Sequence, residues 1–269
     1  MIDFSPPEQL TNTQFALTQI AENLMRPVSR YFDDEEHAIP WDYINFMHEA
    51  MRATGAGSLA PRASKQGPRL GYQTLLYMIE TLSWGDVGLY LVTPGGGLGA
   101  AAVEATGTPE QKVRFLARFK TSKPAFGAMA MTEPQAGSDT SAIRTRAVLD
   151  PETREWVLNG EKIFVTAGHK SLVDTEGLVV VWATIDPAAG RAGMRPFVVE
   201  AGAPGVQVTK LEHKMGIRVS DTASLVLQDC RVPYENILGS PEVVREKTTA
   251  GFKGAMKTFD ATRPLVAAS

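Results

Sequence analysis

Apolar residues recur along the first third of the chain at three- and four-residue intervals. Leu10, Phe15, Leu17, Ile20, Leu24 and Val28 trace one stripe from Glu8 to about Phe32, the spacing of an amphipathic helix. A second helix is predicted from Trp41 to Met51 and a third from Tyr72 to Trp84, separated by the Gly-, Pro- and Ser-rich stretch 55–70, which reads as a loop. The helical texture continues to about Phe119. Its last piece opens on Thr108-Pro109-Glu110-Gln111, where Thr caps, Pro takes the first helical position and Gln reaches back as in a capping box.

Beyond Phe126 the period changes. Short β-rich runs alternate with turn residues about every ten positions, with strands expected at Arg144–Leu149, Glu155–Leu158, Glu161–Thr166, Leu178–Thr184, Arg195–Val199, Val206–Lys210 and Ala223–Leu227. Asn159-Gly160 is a two-residue hairpin signal, because both residues tolerate the positive φ of a type I′ turn. From about Pro241 the helical texture returns, with Val243, Val244, Phe252, Met256, Phe259, Leu265 and Val266 as its apolar positions. Such a stripe calls for helical neighbours to cover it. The expectation is an α+β chain: an all-α N-terminal domain over 1–125, an antiparallel barrel or sandwich over 126–238, and over 239–269 the first helix of a C-terminal helical bundle that is itself cut short.

Composition narrows the class. The 269 residues carry 27 Lys plus Arg against 30 Asp plus Glu, for a net charge of −3, which argues against a nucleic-acid binder that works by charge. A single cysteine, Cys230, excludes an internal disulfide, a four-thiolate zinc site and an iron–sulfur cluster. The start, MIDFSPPEQL, lacks the basic and apolar runs of a secretory leader, and the longest apolar run, Gly177 to Ile185, is too short to span a bilayer. A cytoplasmic protein without a membrane span is expected.

The run GGGLGAA at 95–101 fits the permissive dinucleotide-binding fingerprint. Its context does not: Thr108 starts another helix where a second strand should follow. A helix start with close packing is the better reading. His169 follows Thr166 in a turn and reads as a surface histidine, while His37, His48 and His213 are scattered along the chain, so no metal site is expected.

The stretch with most chemistry is Met129 to Asp139, followed by Gly160 to Thr166. The first reads as an irregular loop, held by Pro134 and loosened by Gly137, that offers the hydroxyls of Thr132 and Ser138 and a row of main-chain N–H donors. On the second, Phe164 and Thr166 share a face by the period-two rule. An aromatic plane, a hydroxyl and an amide-rich loop suit a planar heterocycle with polar edges.

Taken together, Met131–Asp139 (MTEPQAGSD), Asn159–Thr166 (NGEKIFVT), Lys214–Thr222 (KMGIRVSDT), Asp229–Gly239 (DCRVPYENILG) and Gly251–Ala268 (GFKGAMKTFDATRPLVAA), with Gly107–Lys112 (GTPEQK) in agreement, resemble the acyl-CoA dehydrogenase family. The resemblance implies FAD as cofactor. It places Met129, Met131, Thr132, Gly137 and Ser138 in the loop that wraps the flavin, with Thr132 at the pyrimidine edge. Phe164 stands where the family usually has Trp against the ring, with Val165 beside it, and Thr166 matches the hydroxyl near N5. Ser138, Asp260 and Arg263 match residues that contact the acyl-CoA substrate. The implied reaction removes the α-proton of a thioester with a carboxylate while the β-hydride passes to the flavin, giving a trans-2-enoyl-CoA. An electron-transfer flavoprotein-type acceptor and a homo- or hetero-oligomer are implied with it.

The resemblance also implies a catalytic Glu beyond residue 269 in most members. In a minority it sits at the position of Thr262, which cannot act as base, while Glu133 matches a structural acid. No catalytic residue is therefore assigned within the chain. A dehydrogenase incomplete as a lone chain, a non-catalytic or partner subunit of a hetero-oligomeric dehydrogenase, and an acyl-CoA oxidase all stay open.

Overall fold

The computed structural model describes residues 6, 8–54, 71–243 and 250–267. The expected loop 55–70 and Val244 lie outside them. The chain divides into two compact units, one of Met1–Thr93 with His213–Ser220 and Thr262–Ser269, the other of Pro94–Glu212 with Asp221–Ala261.

In the first unit, α1 (Glu8–Ile20), a π-helical turn over Ala21–Met25 and α2 (Arg26–Asp34) run on from one another, so the single stripe read from the sequence is three helical pieces. They are followed by α3 (Trp41–Thr54) and α4 (Gly71–Leu91). Ala21, Met25, Tyr43, Met47, Leu82, Leu89 and Val92 form one core with Val219 from the returning segment. The helix α4 extends past the expected Trp84 and breaks at Asp86, whose φ of −171° and ψ of 117° leave the helical region. There the carboxylate accepts from the Leu89 amide (2.8 Å) and caps a new start.

The second unit opens with α5 (Gly97–Thr106) and α6 (Pro109–Leu116). The capping box is formed: Gln111 N donates to Thr108 Oγ1 and Thr108 N donates to Gln111 Oε1 (3.0 Å). The glycine run is a packing device. A Cβ at Gly99 would stand 2.8 Å from the carbonyl oxygen of Ala128, and one at Gly97, where φ is +46°, 2.8 Å from that of Gly127. The helix therefore lies directly on strand backbone.

The strands are β1 (Gly127–Ala130), β2 (Arg146–Asp150), β3 (Glu155–Thr166), β4 (Leu178–Thr184), β5 (Met194–Glu200), β6 (Val206–Leu211) and β7 (Thr222–Pro233). They form one seven-stranded sheet in the order β1-β4-β2-β3-β7-β6, with β5 on β4. Every residue of β4 is buried. Val179, Val181 and Ala183 enter one core, with Trp156, Leu158, Phe197 and Leu225, while Leu178 and Val180 enter another with Ala102, Val103 and Phe115 of the two helices. Burial on both faces explains an unbroken apolar run where alternation would mark a half-exposed strand. β1 pairs with β4 in parallel, a departure from the antiparallel expectation that follows from reading Met129 as loop.

Asn159-Gly160 is a second departure. It makes no turn: β3 runs straight through it, and the register against β7 shifts between Leu158 and Gly160. The side chains of Asn159 and Asp229 bind across this bulge, and the Asp229 amide donates to Asn159 Oδ1 at 2.8 Å. Gly160 (φ +155°) passes within 2.7 Å, from its would-be Cβ, of Thr145 Cα. The hairpin between β2 and β3 turns at 151–154 instead, where Arg154 N donates to Asp150 O (2.9 Å). An Asn-Gly pair serves a bulge as well as a turn, and the pairing of both flanks with β7 selects the bulge.

The expected C-terminal helix is α7 (Ala250–Val266). Its Ala255 packs with Met131, Ala136, Ile143, Trp182 and Met194, with Phe259 against the same group.

Candidate functional site

The segment after β1 leaves the sheet at Met131 and folds back on itself at Glu133–Ala136, whose amides and carbonyls bond each other in both directions (2.9 and 3.0 Å). Two of the expected main-chain donors are thus already used. The loop is fixed to β3 by Ile163 N, which donates to Thr132 O at 2.9 Å, and by Lys162 Nζ, which donates to Met131 O at 3.0 Å. These bonds bring Thr132 alongside the strand that carries Phe164 and Thr166.

On β3 the alternation slips. The register against β7 shifts between Lys162 and Val165, and Phe164 has φ +58°. Strict alternation would put Phe164 and Thr166 on the inward face of Lys162; the bulge turns both outward and sends Val165 in. Phe164 is 60% exposed, Thr166 is exposed, and Val165 is buried. A large aromatic held outward on a left-handed backbone position is strained and solvent-facing, a combination found where a side chain is presented to a ligand.

The other expected residues sort by what they can offer. Met129 is half-buried on β1, Thr132 is half-buried, and Gly137 and Ser138 are exposed. Met131 and Val165 have their side chains in hydrophobic cores, so only their main chain is available to a ligand. A Cβ added at Gly137 would meet no atom within 4 Å, and Gly137 is absent from the positive-φ glycines, so neither packing nor backbone conformation demands glycine there. Asp260 and Arg263 are exposed on α7. The side chain of Thr262 lies outside the described residues. A cleft of about 340 Å³ lined by Gln111, Arg114, Tyr234, Ile237 and Gly239 includes none of the expected residues.

Beneath the loop sits a carboxylate with every oxygen engaged. Glu133 Oε1 accepts from Lys162 Nζ (2.7 Å), Thr145 N (3.0 Å) and Thr145 Oγ1 (2.5 Å), and Oε2 accepts from Arg144 N (2.6 Å) and Gln135 Nε2 (2.6 Å). Burial alone would raise its pKa, but the Lys162 charge and the donated hydrogen bonds outweigh that and hold it near 2. The same burial pushes Lys162 down. An acid so saturated with donors is a poor proton acceptor, in keeping with the structural role expected for Glu133. Of the other loop acid, Asp139, the carboxylate accepts from the Ser141 amide at 3.0 Å and caps the 3₁₀ turn Thr140–Ala142.

Sequence reasoning passed over Lys162, although a lone lysine in step with Leu158 on an apolar strand was a usable signal. It also passed over a second buried pair, in which Lys170 Nζ donates to Asp221 Oδ1 at 2.9 Å. His169, expected as a surface histidine, is partly buried: its amide donates to Asp221 Oδ2 and its Nδ1 lies 3.0 Å from Asp174 Oδ2. In the first unit Glu36, His37 and His213 gather with ligand atoms within 4.8 Å of one another. The histidines that look scattered in the sequence therefore include a pair drawn together by folding. Glu36 Oε2 lies 2.8 Å from His213 Nδ1 and accepts from Arg218 at 3.2 Å, and Oε1 accepts from Lys214 N at 2.8 Å.

Comparison with known proteins agrees with the motifs. Residues 7–123 match the acyl-CoA dehydrogenase N-terminal domain and residues 128–230 the middle domain. This chain belongs to the acyl-CoA dehydrogenase family. An acryloyl-CoA reductase (NADH) of Anaerotignum propionicum is 36% identical over 270 residues, which cover 97% of this chain and 62% of that protein. A structure from work on the electron transferring flavoprotein of Acidaminococcus fermentans superposes with a TM-score of 0.81 at 34% identity, covering 99% of this chain and 65% of that one. An acyl-CoA dehydrogenase of Bacillus anthracis complexed with FAD superposes with a TM-score of 0.76 at 26% identity, covering 99% and 42%. The chain spans somewhat under two thirds of the length of the curated relatives it matches. Among the described residues no helix is long and apolar enough to cross a membrane.

Proposed function

We propose that this chain binds FAD on the surface formed by loop 131–138 and the end of β3, and supplies the flavin- and thioester-binding part of an acyl-CoA dehydrogenase. One observation carries this reading. The outward-turned Phe164, on its left-handed backbone position, stands on the same strand segment to which the Thr132 loop is bonded. An aromatic plane beside a hydroxyl-bearing loop fits the ring system that the family uses, and the relative from Bacillus anthracis was solved with FAD.

Bound FAD would supply a hydride acceptor. Around it, Phe164 gives an apolar face, Thr166 a hydroxyl, and Thr132 a hydroxyl next to main-chain donors, groups that orient a planar ring and hydrogen-bond its edges. Ser138, Asp260 and Arg263 are proposed to hold the acyl-CoA thioester, since they are exposed and carry the polar and charged groups that such a ligand needs. The α-proton needs a carboxylate, and Glu133 is spent on structure. We assign that step to a group outside residues 1–269, in a partner chain or a further segment. An electron-transfer flavoprotein-type acceptor and a cytoplasmic homo- or hetero-oligomer belong to the same reading. It also keeps the division 1–125, 126–238 and 239–269, of which the first boundary is supported by family matches that end at 123 and begin at 128.

The test is an anaerobic visible spectrum of the purified chain supplied with FAD and titrated with a short- or medium-chain acyl-CoA. Retained flavin with no bleaching by the thioester is the expected result for this chain alone, with bleaching once a base-bearing partner is added. Failure to retain flavin would overturn the binding site. Bleaching by the chain alone would overturn the assignment of the base.

A further inference from the structure

We propose that Lys162 is a positioning residue for the flavin loop: from inside the sheet it sets the conformation of residues 131–138, and through them the affinity for FAD. The proposal rests on the flavin-binding reading above. Lys162 is fully buried, so it does not touch a ligand on the outer surface. Its ammonium donates to Met131 O at the point where the chain leaves β1 and to Glu133 Oε1 two residues later. It thereby holds both ends of the first turn of the loop. Thr132, whose hydroxyl is assigned to the ligand, lies between those two contacts.

The rest of the network ties this turn to the following strand. Glu133 also accepts from the amides of Arg144 and Thr145, which lead into β2. One buried cation and one buried carboxylate thus fix where the loop begins and where it returns. A buried lysine that donates to a carbonyl and to this carboxylate has no cheaper place to satisfy its charge. The loop therefore has one favourable arrangement before any ligand arrives. Preformed geometry of this kind raises affinity by removing the cost of ordering the loop on binding.

Lys162→Met keeps the stem of the side chain and removes the charge. It leaves Glu133 buried with one donor fewer, so Lys162→Met/Glu133→Gln is made beside it to remove both charges. Two measurements are taken on the full chain: amide hydrogen exchange at Glu133, Ala136, Arg144 and Thr145 against the amides of β4 and β7, and the dissociation constant for FAD from quenching of flavin fluorescence. In the double variant the expected result is loop amides exchanging at least about tenfold faster while β4 and β7 keep their protection, and FAD bound at least about tenfold more weakly.

Loop exchange unchanged from wild type would overturn the proposal, as would sheet and loop amides released together, which marks a purely structural pair. So would FAD bound as tightly by the double variant as by wild type. If wild type itself takes up no FAD, the flavin reading fails, and the contrast in exchange between loop and sheet still decides whether Lys162 positions the loop.

Discussion

Two loops in this molecule are pinned by one carboxylate each, and the pins differ in where their cations sit. Loop 131–138 in the second unit is held by Glu133, whose cationic partner Lys162 has no exposed surface. Loop 213–220 in the first unit is held by Glu36, which is itself 8% exposed, but its partners His213 and Arg218 are 84% and 31% exposed. Both acids are held near pKa 2: burial alone would raise each, and donated hydrogen bonds and neighbouring charge outweigh it. Similar acidity conceals a different energetic consequence. Where both charges are out of water, losing one strands the other; where the cation can turn to solvent, it does so at little cost. The loops differ in backbone as well. In the second, Ile217, a β-branched residue, has φ +57°, and Met215 is fully exposed.

The largest difference between the two pins should show on deletion of the carboxylates. Glu133→Ala leaves Lys162 buried without its counter-charge and should lower unfolding free energy by about 3–5 kcal/mol, measured by urea denaturation. Glu36→Ala should cost about 1–2 kcal/mol. Equal losses would break the comparison.

Acid titration sharpens it. A carboxylate depressed in the folded state contributes stability that is fully present above its unfolded pKa and is lost as pH falls through the folded one. The shared window therefore runs from about 4.5 down to about 2. Glu133→Gln and Glu36→Gln should each flatten the dependence of stability on pH in that window. A variant that keeps the full wild-type slope shows that its carboxylate was not the group titrating.

Salt separates the cations. Arg218→Gln should cost less than ~1 kcal/mol at low ionic strength and less again in 1 M NaCl, because its guanidinium is partly open to solvent and so partly screened. The cost of Lys162→Met should persist in salt. The smallest effect is expected from Ile217→Asn, which relieves a left-handed β-branched residue and should raise stability by up to about 1 kcal/mol; a loss would mean that the Ile217 side chain contributes more by packing than its backbone costs.

Legibility in the sequence followed the range of the interactions. Thr108 to Gln111 is a local device, and it formed as expected because the two bonds of the capping box span four residues. The fully buried β4 was legible to the residue, Leu178–Thr184, because a strand covered on both faces leaves an unbroken apolar run. The glycines at 97 and 99 were legible as close packing, although the strand they pack on, Gly127–Ala130, was not among those expected. At Asn159-Gly160 local preference offered a turn, and pairing with β7 on either side chose a bulge. At Phe164 the aromatic was legible, but its outward direction depends on a second bulge.

The sequence by itself determined the family, the helical and β-rich stretches and the residues of the candidate flavin surface, because these are written in local periods and contiguous motifs. Only the tertiary structure decided that Lys162 lies beneath the Thr132 loop, that Glu133 has no spare lone pair for catalysis, and that His37 and His213 meet beside Glu36. Those facts depend on pairings between residues 29 and 177 positions apart. A hydrophobic period carries no record of which distant partner a buried charge will find; the sheet register and the cost of leaving that charge unpaired select it.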